Sequence, residues 1–104
     1  MITKSNLGVE VSYVETEIIE STETVKNEER RFGVGNGDKE IIAEVWGSDD
    51  NQTWEKDDSK TIDPGDYATL RSGPSHHPFV KLTGRTTVSG EMGIVDGYLI
   101  YNEP

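Results

Sequence analysis

Apolar and polar residues alternate in short runs, and turn-forming residues break those runs every few positions. Val9, Val11 and Tyr13 alternate with Glu10 and Ser12, the period-2 signature of a strand with one buried face and one wet, acidic face. Residues 15–25 read as a second extended stretch. Thr16, Thr22 and Thr24 sit among its carboxylates, Ile18 and Ile19 are its main apolar contribution, and no i, i+3, i+4 stripe supports a helix. Residues 30–34 predict a short strand leading into a hairpin turn over Gly33-Val34-Gly35-Asn36-Gly37-Asp38, where Gly and Asn tolerate positive φ. Residues 41–46 are apolar on both faces except at Glu44, which predicts a central strand. A polar tip follows, and Trp54 opens a return strand that continues through Lys60-Thr61-Ile62. Asp63-Pro64-Gly65-Asp66 is a tight turn, with Pro setting φ at the first corner and Gly supplying the second. Residues 67–70 form another strand, residues 72–78 a loop, residues 79–83 a second central strand, and residues 84–93 a loop. Residues 94–101 close the chain, with Val95, Leu99 and Tyr101 on one face.

About eight short strands with turns between them indicate an all-β chain, an antiparallel sandwich of 7–8 strands with Ig-like or jelly-roll connections. Composition points the same way. Val, Ile and Thr total 27 residues against 8 for Ala, Leu and Met, and β-branched side chains favour a pleated surface. At 104 residues the chain is one domain. Within it, residues 1–28 are expected to form an acidic arm or edge strand whose removal spares the fold, and residues 29–104 the sandwich core.

Charge narrows the partners. A net charge of −10 argues against nucleic acid, which demands a cationic surface, and against anionic membranes. No apolar run is long enough to span a bilayer, and the first residues lack the apolar core of a signal peptide, so the chain is expected to be made and used in a cytosol or to leave it by lysis. The charge is unevenly spread. Residues 10–29 carry seven carboxylates and one lysine, whereas residues 67–90 carry Arg71, Lys81, Arg85, His76 and His77 and no carboxylate. Such a split lets identical copies attract or lets one copy dock on a larger charged surface. Arg71, His76, His77, Lys81, Arg85, Glu15 and Glu17 are therefore the candidate interface residues.

Candidate chemistry is sparse. Absence of cysteine excludes disulfides and thiolate metal sites. The carboxylates around Asp49-Asp50-Asn51, Asp57-Asp58 and Asp63–Asp66 are no EF-hand: counted from Asp49, the sixth position is Trp54 and the twelfth Lys60, where Gly and Glu are needed. They read as turn residues bonded to their own backbone. Adjacent His76 and His77 point to opposite sides of an extended segment, so both rarely ligate one metal; they read as loop residues, with a pH-sensitive contact at an interface as the alternative. The Gly33–Asp38 run lacks the third glycine and the following helix of a dinucleotide loop. No catalytic residue, metal site or cofactor is expected. Among the aromatics, Trp46 and Phe79 fall in the most apolar strands and predict core packing, while Trp54 borders the polar tip and is the residue on which a carbohydrate could stack.

One resemblance follows from the sequence Gly47-Ser48-Asp49-Asp50, Thr53-Trp54, Pro64-Gly65, Phe79-Val80-Lys81-Leu82-Thr83-Gly84 and Val95-Asp96-Gly97-Tyr98. This succession of tip, turn and strand resembles the small β-sandwich domains of tailed-bacteriophage virion proteins, over a little more than half of the chain. The resemblance implies a non-enzymatic virion structural protein, a capsid decoration or a head, neck or tail accessory. Its partners would be capsid or tail proteins, bound in multiple copies, with homo-oligomers also in view. The alternative is a carbohydrate-binding sandwich that uses Trp54.

Overall fold

The computed structural model describes residues 2–25, 28–72, 77–102 and 104. Eight strands run β1 (Ile2–Val11), β2 (Thr16–Glu23), β3 (Arg30–Asn36), β4 (Ile41–Ser48), β5 (Glu55–Ile62), β6 (Tyr67–Ser72), β7 (Phe79–Thr86) and β8 (Gly93–Tyr101). They form two four-stranded antiparallel sheets. Sheet A has the order β1-β8-β3-β6 and sheet B the order β2-β7-β4-β5. Strands 1 and 8, 2 and 7, 3 and 6, and 4 and 5 pair throughout. The chain is thus one long hairpin, folded at the β4–β5 tip and rolled so that most successive strands change sheets. That is the jelly roll of the two expected topologies, since an Ig-like sandwich would place the first two strands side by side.

The core lies between the sheets. Phe32 and Val34 of β3, Leu70 of β6, and Val95 and Leu99 of β8 face Ile41, Ala43 and Val45 of β4 and Val80 and Leu82 of β7. Ile18 and Ile19 are neighbours in sequence, yet both are buried. A shift in the β2–β7 register between Glu17 and Ile19 turns both side chains inward, as a bulge does. The described residues of the segment 1–28 supply β1 and β2, the outermost strands of their sheets at the same side, together with the core residues Val11, Ile18 and Ile19.

Inward-pointing polar side chains bridge the paired open edges. Lys4 of β1 donates to Glu20 and Thr22 of β2, and Asn6 donates to the Ile18 carbonyl. On the opposite side Lys60 of β5 donates to the Thr69 carbonyl of β6, and Asp58 accepts the Arg71 amide. Three backbone groups of the edge strands, the Ile18 and Thr69 carbonyls and the Arg71 amide, are thereby occupied within the molecule.

Three sequence expectations are corrected. Gly33–Asn36 form no hairpin turn but continue β3, because Gly33 and Gly35 lie on the outer face where the Tyr67 ring crosses them: a Cβ at Gly33 would meet the Tyr67 hydroxyl at 1.9 Å. The chain then crosses to the other sheet. Gly84–Thr86 belong to β7, not to the following loop. Trp46 and Phe79 are not core residues; they alternate outward from Val45 on β4 and Val80 on β7, half-buried on the outer face of sheet B. The turn at Asp63-Pro64-Gly65-Asp66 forms as expected, closed by the Asp66 amide on the Asp63 carbonyl at 3.1 Å.

Candidate functional site

The outer face of sheet B gathers most of the candidate interface residues. Thr83, Lys81 and Arg85 alternate outward along β7, and the register sets Glu44 and Glu17 on either side of Thr83, Trp46 beside Lys81, and Ile42 beside Arg85. The side chains pair closely. Glu44 is buried beneath Lys56 at 3.2 Å and Arg85 at 3.6 Å. The Trp46 indole N–H donates to Thr83 Oγ1 at 2.8 Å, and that hydroxyl donates to Glu15 at 3.2 Å. Lys81 lies over the Trp54 ring with its ammonium 4.3 Å from the centroid, and Lys56 stands 6.0 Å from that of Trp46, both cation–π contacts. Lys81, Arg85, Glu15, Glu17 and Trp54 therefore share one braced wall, and one face of the Trp54 ring is already covered.

A second cluster closes the end of the sandwich at the β4–β5 tip. His77 is 7% exposed; its Nδ1 lies 3.0 Å from Asp49 and its Nε2 3.0 Å from Glu55. Only the doubly protonated ring can donate to both. Burial pushes the imidazole down, but the hydrogen bonds it donates to Asp49 and Glu55 and the charges of Asp49 and Asp57 outweigh it, so the net direction is upward from the ordinary value. Asp57 accepts a 2.5 Å hydrogen bond from Ser72, which in turn accepts from the fully buried Arg30 at 3.2 Å. Burial lowers the Arg30 guanidinium, and Asp57 offsets part of that. Gly47 is required beneath this cluster: a Cβ there would stand 2.7 Å from Asp57 Oδ2 and 2.8 Å from His77 Cδ2. Asp49, Asp50, Thr53, Trp54, Glu55 and His77 line an open groove of about 430 Å³.

The tip itself is self-bonded. Asp50 accepts the amides of Gln52 and Thr53 and the Ser48 hydroxyl. Those bonds hold its carboxyl at about 2. Chemically, the His77 cluster is a clasp: both ring nitrogens face carboxylates, and the Ser72 hydroxyl is held between Asp57 and Arg30. Arg71 stands apart on β6 in sheet A, 3.2 Å from Glu29. His76 lies outside the described residues. Sequence reading passed over Arg30, Ser72 and Glu44. Arg30 and Glu44 carried one usable signal, a charge at a position whose neighbours predict a strand; Ser72 carried none.

No protein-family model and no curated protein matches the chain. Solved structures show the fold. PirA overlays 96% of this chain and 93% of its own at TM-score 0.63 and 11% identity. A structure described as Bacillus endospore appendages that form a novel family of disulfide-linked pili covers 99% of this chain and 88% of its own at 0.57 and 11%. The PBSX exported protein XepA covers 99% of this chain at 0.65 and 10%, and the chain spans only 38% of XepA.

Proposed function

We propose that this protein is a non-enzymatic structural component that docks in multiple copies on a bacteriophage capsid or tail, as a decoration or accessory subunit. The observation that carries the reading is the outer face of sheet B, where Trp46–Thr83–Glu15, Lys56–Glu44–Arg85 and Lys81–Trp54 are held in contact along one sheet face. A surface held rigid before contact loses little conformational entropy on docking. The virion-domain pattern of residues 47–98 supports the same role. So does the fold shared with an appendage subunit and with an exported protein. The disulfide linkage of those pili has no counterpart here, since the chain lacks cysteine. The carbohydrate alternative is weakened by Lys81, which covers one face of Trp54.

Co-sedimentation with purified particles tests the role. The protein is expected to pellet with the particle fraction, and Lys81→Glu with Arg85→Glu to shift it to the supernatant. Wild-type protein that stays soluble, or glycan binding abolished by Trp54→Ala, would overturn it.

A further inference from the structure

Two glycines stand on the outer face of β3, and packing accounts for only one of them. A side chain at Gly33 would collide with the Tyr67 ring. At Gly35 a Cβ would lie 3.8 Å from Asp96 Cβ and 3.9 Å from Tyr67 Cδ2, ordinary contact distances, and the backbone there is not left-handed. Alanine would therefore fit. Gly35 nonetheless sits on an interior strand, paired with Tyr67 on one side and Asp96 on the other. A glycine inside a strand costs stability relative to alanine. One that neither a turn nor packing requires marks a place where a ligand comes close to the backbone.

The surroundings of this gap select the ligand. On one side the Tyr67 ring runs along β3 from Gly35 to Gly33, and the residue is 63% exposed. The register sets Tyr98 beside Gly33, next to that ring. On the other side stands Asp96, whose Oδ1 accepts the Gly8 amide at 2.7 Å. The β1 bulge supplies that amide, with Gly8 at φ 65°. The bond fixes the carboxylate in place, and a carboxylate has room for several further donors. The gap opens into a groove of about 230 Å³ lined by Gly35, Gly37, Ile94 and Asp96.

A hexose ring carries the matching pattern. Its C–H groups suit a π surface, and the hydroxyls around its rim donate to a carboxylate. A flat apolar protein surface is a poorer match, because Asp96 would be buried beneath it. A point cation is a poorer match too, since one carboxylate bonded to Gly8 faces the gap and the other walls are rings, glycines and Ile94. Anionic sugars are disfavoured by Asp96 and by the net charge of −10.

We propose that the outer face of sheet A binds a neutral hexose unit, with Tyr67 as the stacking platform, Asp96 as the hydroxyl acceptor and Gly35 as the open floor. The site lies on the face opposite the sheet-B wall. It rests neither on the particle role nor on Trp54, so sugar binding and co-sedimentation are separate readouts.

Titration of the isotope-labelled full chain with the methyl glycosides of glucose, galactose and mannose, followed through amide chemical shifts, tests the site. At least one glycoside should move the amides of Gly33, Gly35, Tyr67 and Asp96 in a saturable way. Tyr67→Ala should weaken that binding at least about tenfold, through loss of the stacked ring. Gly35→Ala should weaken it as much while its urea midpoint stays at or above that of the wild type, because the added methyl group fills the gap without a clash. Trp54→Ala should bind as the wild type does. Shifts by none of these glycosides, binding that survives Tyr67→Ala or Gly35→Ala, binding lost in Trp54→Ala, or a destabilised Gly35→Ala chain would each overturn the proposal.

Discussion

His77 joins the start of β7 to the β4–β5 tip through two carboxylates, and it can do so only while both ring nitrogens carry protons. The facing groups are Asp49 and Glu55 by hydrogen bond and Asp57 by charge. Because the folded value is raised, the stability from this clasp is fully present below the ordinary value of about 6.5 and is lost as pH rises through the raised one. Urea midpoints measured across that window should fall with rising pH, and His77→Gln should flatten the dependence. Gly47→Ala pushes a methyl group into Asp57 and His77. It should cost about 1–3 kcal/mol in chemical denaturation, the usual penalty for overpacking.

The edge strands carry core weight out of proportion to their apolar content. β2 is mostly Thr and Glu, yet its bulge delivers Ile18 and Ile19 to the centre, and β1 adds Val11. Truncating a single buried isoleucine to alanine typically costs about 2–5 kcal/mol, so losing this set removes stability on the scale of a whole small domain. Deletion of residues 1–28 is therefore expected to abolish the β-type circular dichroism and the cooperative melt; a truncated chain that keeps both would show the segment working as an arm. Alternation and turn residues made the interior strands β4, β7 and β8 legible, because a buried strand must be apolar wherever it meets the core. The β3 continuation was not, since Gly33 and Gly35 look like turn residues until Tyr67, 32 to 34 positions away, is seen to cover them. Bulges were hidden for a related reason: a single shift of register leaves no mark on composition.

At the scale of the molecule, β1 pairs with β8 and β2 with β7, so the first residues complete their sheets only when the last arrive. Such distant pairing places the chain among slowly folding topologies. The candidate interface residues divided along lines that no linear reading could draw: Lys81, Arg85, Glu15 and Glu17 came together on sheet B, Arg71 went to sheet A, and His77 went to the end. Charge along the chain says which residues are cationic; the roll decides which of them are neighbours. The polar side chains that bridge the open edges have a further consequence. Asn6, Lys60 and Asp58 occupy the Ile18 and Thr69 carbonyls and the Arg71 amide, and Lys4 sets a charge between β1 and β2, so a further strand arriving at either edge finds part of its ladder taken and a charge in its path, which works against growth of a cross-β ribbon.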